Sequence, residues 1–261
     1  MMKTTKAPKV TLLLLTAVII TVSCNKTDDP GSELPEASCS IVERTSVKGN
    51  NQPSVTQINY NNDGSLSSAN ITRSNYNSQA AWDYAPHKII HEWYNDDKIV
   101  NKKYIDLDAK GDPVKIIIDF YDNNGDVYHT NMISFEYNGQ RQLIKSVLKS
   151  GNDPETVTNY TWAGGNMIKA AGENYTDTYE YYTNLPIQQA DYTALPYELS
   201  SGIRFFNNKN LLKSWDSQGN GFVRTYNYQF DADGKISKYT VKQTANNVTE
   251  DTEVSFEYIC K

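Results

Sequence analysis

A short phrase recurs along this sequence: an aromatic residue, then several residues rich in Asn, Asp and Gly, then an aliphatic residue. The clearest copy runs from Tyr121 to Val127, and close copies cover residues 60–66 and 230–236. Asn, Asp and Gly tolerate the positive φ of tight hairpin turns, so each copy predicts a reversal between two antiparallel strands. A chain built from this unit is restricted to a meander of short strands.

The segments between the phrases alternate apolar and polar residues with a period of two. Before the clearest copy one face holds Val114, Ile116, Ile118 and Phe120. Such alternation is typical of strands with one buried face. We therefore predict an all-β fold, a single antiparallel up-and-down meander of about 14–18 strands with short hairpin turns. A sheet this long twists and must protect its edges, so we expect it to curl strongly or close into a barrel.

Some stretches follow the pattern less clearly. We expect a polar loop over residues 73–79 and further copies of the turn phrase over residues 181–187 and 206–212. No window shows a helical stripe of useful length, so no helix is predicted.

The first 23 residues predict a secretory signal. Three lysines precede an apolar run from Val10 to Val22, which is too short to span a bilayer as a helix. Cys24 follows a small residue, and this order resembles a bacterial lipoprotein signal in which that cysteine is lipidated. The alternative is an ordinary signal peptide in which Cys24 has no special role. In the lipoprotein interpretation the N-terminal lipid is the only membrane contact.

Residues 24–37 are polar, acidic and rich in turn formers, which predicts a flexible tether before one domain at 38–261. A lysine and two acids soon after Cys24 resemble the surface-export signal of Bacteroidetes lipoproteins. This resemblance implies an outer-membrane lipoprotein exposed at the cell surface, with a periplasm-facing protein as the alternative.

The charge balance restricts the partners of the mature chain. Removal of residues 1–23 takes away three lysines and no acid, which leaves 22 basic against 31 acidic residues, a charge of about −9. An acidic domain with interspersed signs disfavours nucleic acid and anionic membrane surfaces. We expect a monomer, with a glycan or a protein as the candidate partner.

Two cysteines remain in the mature chain, Cys39 near the start of the domain and Cys260 next to its last residue. In an exported protein an isolated pair predicts a disulfide, and the alternative is two buried thiols. A bridge requires Cα atoms within about 7 Å, so it would place the first and last strands side by side. The pair therefore favours closure of the sheet independently of the turns.

The recurring phrase resembles the tyrosine–aspartate repeats of Rhs-type β-shells, which are more regular. A closer resemblance is to a Bacteroidetes surface lipoprotein domain family of unknown function with a porin-like antiparallel β fold. The matching features cover nearly the whole mature chain: Cys24 with its acidic tether, the turns at 61–66, 122–127 and 231–236, and the cysteine pair. The resemblance implies a curved antiparallel sheet and no particular activity.

The domain is not expected to span a membrane as a barrel. The strand faces opposite the apolar stripes carry charges that would be costly against lipid, namely Lys115, Asp119, Glu136, Lys238 and Lys242. The sequence also ends in Lys261, whereas such barrels usually end in an aromatic residue.

Acidic turns and histidines are the candidates for a metal site. Asp106 and Asp108 begin a pattern like a calcium loop, but Lys110 stands where a ligand belongs, so turn formation explains the acids better. His87 and His91 would share one face of a strand, with no third ligand in view. We predict no metal, no cofactor and no catalytic residue, because no phosphate loop, nucleophile elbow or marked pair of carboxylates occurs.

The repeat pattern breaks down between Tyr175 and Gly202, where six tyrosines and two prolines cluster. A long ordered loop on a β scaffold is a frequent place for binding, and flat aromatic rings suit sugar faces. The predicted ligand-binding residues are Tyr192, Tyr197, Trp162 and Trp215. The alternative is a packed loop that caps the sheet.

These features favour a non-enzymatic, envelope-anchored lipoprotein with a binding or scaffold role, its partner a glycan or a protein. Two alternatives remain open. One is a hydrolase of extracellular polymers that uses paired carboxylates, and the other is a purely structural envelope component. The sequence names no ligand that would separate them.

Overall fold

The alternating segments form strands in the computed structural model, which describes residues 39–74 and 76–260. Sixteen strands follow one another as an antiparallel meander, and the last pairs with the first, so the sheet is a closed barrel. The predicted all-β meander of about 14–18 strands, curled or closed, is therefore confirmed. The predicted signal peptide, Cys24 and the tether predicted at 24–37 lie outside the described residues.

The strands are β1 Cys39–Lys48, β2 Ser54–Tyr60, β3 Leu66–Arg73, β4 Tyr76–Ala85, β5 Lys88–Asn95, β6 Lys98–Leu107, β7 Pro113–Tyr121, β8 Val127–Tyr137, β9 Leu143–Ser150, β10 Thr156–Ala163, β11 Asn166–Ala171, β12 Thr176–Pro186, β13 Asn210–Ser217, β14 Phe222–Phe230, β15 Ile236–Ala245 and β16 Val248–Cys260. A short helix, α1 Leu195–Ser201, lies between β12 and β13.

The acids of the recurring phrase hold the turns. In the β7–β8 turn the Asp122 carboxylate accepts the backbone N–H groups of Asn124 (2.8 Å) and Asp126 (3.0 Å). Gly125 has a φ of 86° and donates its N–H to the Asp122 carbonyl at 3.1 Å. Asp108 and Asp231 accept the corresponding pairs of N–H groups in their own turns. The interpretation of these acids as turn residues is therefore confirmed.

Three local predictions are wrong. The loop expected over residues 73–79 is shorter, because β3 continues to Arg73 and β4 begins at Tyr76. Residues 181–186 belong to β12 rather than to a turn, and the pairing register with β13 shifts there, so the phrase marks an irregular strand. Residues 206–209 precede β13 as irregular chain, without a hairpin.

The predicted disulfide is confirmed, since Cys39 and Cys260 are bonded and face each other across the β1–β16 pair. Because the strands alternate in direction, the β12–β13 connection lies at the same end of the barrel as this bridge. We call this the cysteine end. The β1–β2, β13–β14 and β15–β16 turns lie at the opposite end, which we call the far end.

Residues 187–209, which we call the plug, fold from the cysteine end into the lumen of the barrel. Ala190 and Leu195 of the plug are 1% exposed and pack in the main core with inward residues of the wall. Gly202 ends α1 with a φ of 77°, and an added Cβ would lie 2.9 Å from the Trp82 side chain. This helix was not predicted. It spans seven residues, too few for a periodic stripe to be recognised.

The wall is apolar inside and charged outside. Inward residues such as Ile58, Ile105 and Leu212 are at most 3% exposed. Across the outer face run ion pairs between neighbouring strands, namely Glu92–Lys102, Glu136–Lys145, Glu180–Lys213 and Lys238–Glu253. Among the described residues, no helix has the length and apolar character needed to cross a membrane.

Candidate functional site

Asp191 attaches the plug to the wall by buried hydrogen bonds. Its Oδ1 accepts the Thr193 backbone N–H at 2.8 Å and also the Thr193 hydroxyl. Its Oδ2 accepts the Leu212 backbone N–H at 3.1 Å and the Tyr228 hydroxyl at 2.8 Å. Burial raises the pKa of Asp191, and these donors oppose the rise. One carboxyl group therefore joins the plug to both β13 and β14.

A second polar contact between the plug and the wall lies on the opposite side of the barrel, at β6. Lys103 points into the lumen and donates from Nζ to the Ser200 carbonyl near the end of α1. Burial lowers the pKa of Lys103 to about 8. The partner of Lys103 across the strands is His91, 1% exposed, and burial together with the Lys103 charge lowers the pKa of His91 to about 3. His91 is therefore neutral at physiological pH and packs against Trp82.

The expectation that His87 and His91 share a strand face is wrong. His87 lies in the turn before β5 with a φ of 59°, so it precedes the strand that carries His91. His129 lies on β8 with its Nε2 3.0 Å from the Ser150 hydroxyl. Over residues 39–74 and 76–260, no three His, Cys, Asp or Glu residues group as metal ligands would.

A cavity of about 200 Å³ occupies the lumen at the far end. Tyr192 of the plug lines it from below, because the plug enters from the other end. Strands β1, β14, β15 and β16 form its walls. Its charged and aromatic lining residues are Arg44, Lys48, Tyr192, Arg224, Tyr239 and Glu250. This part of the lumen is not filled by the plug, and it is where inward charges concentrate.

Arg224 on β14 is held rigidly at this cavity. Its guanidinium carbon lies 4.8 Å from the ring centroid of Trp215 and 4.7 Å from that of Phe222, as in cation–π contacts. It donates to the Tyr192 hydroxyl at 2.8 Å and to the Gln243 side-chain oxygen at 2.7 Å. Arg224 therefore also connects the tip of the plug to the wall.

Arg44 on β1 lies beside Tyr239. Burial raises the pKa of Tyr239 to about 12, and the Arg44 charge opposes that rise. The Nε of Arg44 is buried and has no hydrogen-bond partner in the described part of the chain. At the rim Lys48 and Glu250 form an ion pair at 2.6 Å, with side chains about half exposed. The single carboxylate of the lining is thus already paired.

The structure separates the four predicted ligand residues into two pairs. Tyr192 lines the cavity, and Trp215 lies beside it with ring centroids 6.4 Å apart. Tyr197 packs edge-on against Phe206 at 5.4 Å, and Trp162 packs in the small core cluster that contains Phe206. Trp162 also donates its indole N–H to the Leu143 carbonyl at 2.7 Å.

Neither arginine of the cavity is among the residues predicted from the sequence, although the sequence contains a signal for one of them. Arg224 lies in strict alternation with Phe222, Tyr226 and Tyr228, so it occupies the apolar face of β14. A cation on the inward face of a strand is rare unless it has a partner. Arg44 carries no comparable signal, because β1 alternates only weakly.

The fold is that of known porin-like proteins. A porin-like protein from Bacteroides uniformis ATCC 8492 superposes with a TM-score of 0.59 at 13% identity, covering 84% of this chain and 96% of that chain. A porin-like protein from Bacteroides vulgatus ATCC 8482 gives 0.53 at 12% identity, covering 83% of this chain and 97% of that one. A TcdB2-TccC3-Cdc42 structure gives only 0.32 at 15% identity over 78% of this chain and 13% of that chain, which is too low to support an argument.

No protein-family model matches the sequence, and a comparison with curated proteins also finds no match. At these identities the two superpositions concern the fold alone. The predicted resemblance to a porin-like antiparallel β fold is confirmed at that level: this chain shares its barrel with porin-like proteins of Bacteroides.

Proposed function

We propose that this protein is an envelope-anchored binding protein that captures a small ligand, in the first instance a sugar, in the far-end cavity. The observation that carries the proposal is the plug, which fills the lumen from the cysteine end and leaves a blind cavity at the other. A concave site with aromatic walls and a few fixed polar groups is the usual form of a small-molecule site.

The position of the tether supports an outward orientation of this cavity. Cys24 precedes Cys39 by fifteen residues, and Cys39 lies at the end opposite the cavity. A monomer lipidated at Cys24 would therefore present the cavity away from the membrane, at the cell surface or, in the alternative, towards the periplasm.

The charges on the outer wall favour anchoring by a lipid on Cys24 rather than by a barrel that spans the membrane. Ion pairs such as Glu92–Lys102 and Glu136–Lys145 cross the outer face, where a spanning barrel has an apolar band. The similar structures are described as porin-like, but in this chain the plug occupies the lumen that a channel would need.

Replacement of the lipidation cysteine tests the anchoring. Cys24→Ser is made in a chain whose residues 1–23 are replaced by a cleavable signal peptide, so that the apolar run from Val10 to Val22 cannot itself retain the protein. We expect loss of labelled palmitate and recovery of the variant in the aqueous fraction, because the proposal gives the protein no other membrane anchor. Residence of the variant in carbonate-washed membranes would contradict the proposal, since the remaining chain would then have to be embedded. Digestion of intact cells by protease separates the surface from the periplasmic orientation.

Two plug tyrosines provide a matched test of the binding site. Purified full chain is screened against neutral and acidic mono- and oligosaccharides by calorimetry. Tyr192→Ala should weaken binding at least tenfold, because Tyr192 lines the cavity, whereas Tyr197→Ala should leave affinity unchanged. Binding that both variants retain would place the site elsewhere. Absence of any saccharide binding would refute capture in this cavity and favour the purely structural alternative.

The hydrolase alternative is not favoured at this cavity. Glycoside hydrolysis generally requires two carboxyl groups flanking the scissile bond. The lining of the cavity contains one carboxyl group, that of Glu250, and this group forms an ion pair with Lys48 at the rim.

A further inference from the structure

The cavity carries positive charge that the described residues do not neutralise. Arg44 and Arg224 both line it, and neither takes part in any of the ion pairs formed within residues 39–74 and 76–260. The only lining carboxylate, Glu250, is paired with Lys48. A guanidinium stays protonated at all physiological pH values, and a partly buried one without a counter-ion is unfavourable.

Unpartnered donors surround the same region. The Nε of Arg44 and the indole N–H of Trp215 are buried and lack hydrogen-bond partners within the described residues. Trp215 also contacts the Arg224 guanidinium, so both donors lie next to an arginine of the cavity. Buried donors are nearly always paired in folded proteins, so donors without partners next to uncompensated cations indicate a site for an acceptor with negative charge.

The size and the aromatic lining restrict the shape of that ligand. A volume of about 200 Å³ is below the roughly 300–1,000 Å³ of sites for drug-sized ligands, so it suits a compound with a single ring. Tyr192 and Tyr239 supply ring surface, and Gln243 is fixed by its bond to Arg224.

We propose that the ligand is a single-ring compound with one anionic substituent, a carboxylate or a sulfate, as in a uronic acid or a sulfated sugar. Arg44 and Arg224 bind the anionic group, and the tyrosines contact the ring. This inference rests on the proposed capture of small ligands in the cavity and specifies their charge.

The test compares probes that differ in charge. Binding of galacturonate, galactose 6-sulfate, galactose and inorganic sulfate to the full chain in detergent is measured by calorimetry at fixed ionic strength. We expect at least one of the two charged sugars to bind tenfold or more tighter than galactose and than inorganic sulfate. The carboxylate and sulfate arms identify which anionic group is preferred.

Arg44→Gln should remove this preference and leave the charged sugar no tighter than galactose, while Arg44→Lys should retain part of it. Arg73→Gln is the matched control, because Arg73 lies near the same end but is exposed and bonds to Tyr76. It should change nothing. Thermal unfolding of each variant verifies folding, and the comparison of probes on the unchanged chain does not depend on any variant.

The outcomes separate the inference from the proposed function. If galactose binds as tightly as the charged sugars and Tyr192→Ala removes both, capture in the cavity stands and the anionic preference is refuted. If inorganic sulfate binds as tightly as the charged sugars, the ring contribution is refuted. If Arg73→Gln weakens binding as much as Arg44→Gln, the attraction is a general surface effect and the inference fails. If no probe binds, both proposals fail.

Discussion

Asp191 is the residue whose removal should most directly release the plug. In Asp191→Ala the acceptor of four buried donors disappears: the backbone N–H and the hydroxyl of Thr193, the backbone N–H of Leu212 and the hydroxyl of Tyr228. A buried donor without an acceptor costs about 1–3 kcal/mol. Loss of the carboxyl also removes the free-energy cost of burying its charge. That cost is the reason that burial raises the pKa of Asp191. The expected net loss in the free energy of unfolding is about 3–5 kcal/mol.

Tyr228→Phe isolates one of these bonds and should cost about 1–2 kcal/mol. The double variant Asp191→Ala/Tyr228→Phe should lose less free energy of unfolding than the sum of the two single variants. In the double variant no hydroxyl remains at position 228, so the removal of Asp191 leaves one donor fewer without an acceptor. Such coupling would assign part of the effect to the bond between the plug and β14.

Urea unfolding measures these losses, and trypsin reports on the plug itself. Arg204 lies in the plug with its side chain 22% exposed, so cleavage after it should accelerate when the plug leaves the lumen. The matched control is Asp251→Ala on the exposed face of β16, expected to change stability by less than about 0.5 kcal/mol. A loss below about 1 kcal/mol in Asp191→Ala, without faster cleavage, would refute the role assigned to this carboxyl.

Three further predictions concern the wall and its turns. The pKa of Lys103 is about 8 in the fold and 10.5 in an unfolded chain, so the unfolded state binds more protons between these values. Lys103 should therefore add up to about 1.4 kcal/mol per pH unit to the free energy of unfolding from pH 8 to 10, whereas buried tyrosines such as Tyr60, whose pKa is raised to about 12, act in the opposite direction near pH 10. The contribution of Lys103 is the difference in the free energy of unfolding between the natural chain and Lys103→Met in urea titrations, which should grow with pH; a constant difference would contradict the burial of the charge. Replacement of Cys39 and Cys260 by serine should cost at most about 5 kcal/mol in urea, given their separation of 221 residues, and no loss would exclude a stabilising bridge. Gly125→Ala should cost about 1–2 kcal/mol in thermal unfolding because of its positive φ, whereas Gly139→Ala, where no positive φ occurs, should be nearly neutral; equal effects would refute this reasoning.

The wall was predictable because its determinants are local. An Asp such as Asp122 specifies a reversal through hydrogen bonds to N–H groups two and four residues ahead, all within one turn. Period-two alternation then assigns each strand face without knowledge of its neighbours. Closure of the sheet was predictable from Cys39 and Cys260, because the pairing of two isolated cysteines is a long-range constraint that can be read from the sequence.

The plug was not predictable in the same way, because its contacts are set by the barrel around it. Leu195 and Phe206 pack in different core clusters, so apolar residues point in several directions and no period emerges. Tyr192 and Tyr197 are alike in sequence, yet one lines the cavity and the other packs against Phe206. The predicted binding residues therefore included a pair that belongs to the packing of the plug.

The size of the barrel explains why plug and cavity occur together. Barrels of 16–18 strands generally enclose space wide enough for an aqueous channel, so apolar inner faces would meet water without a filling element. Ile105, Leu212 and Tyr226 are at most 1% exposed, and the plug supplies much of the apolar contact that buries this lumen. Where the plug stops, the inward residues become Arg44 and Arg224. The change from apolar to charged lining thus coincides with the boundary between packed core and cavity, as expected if the uncovered part of the lumen is kept for a polar ligand.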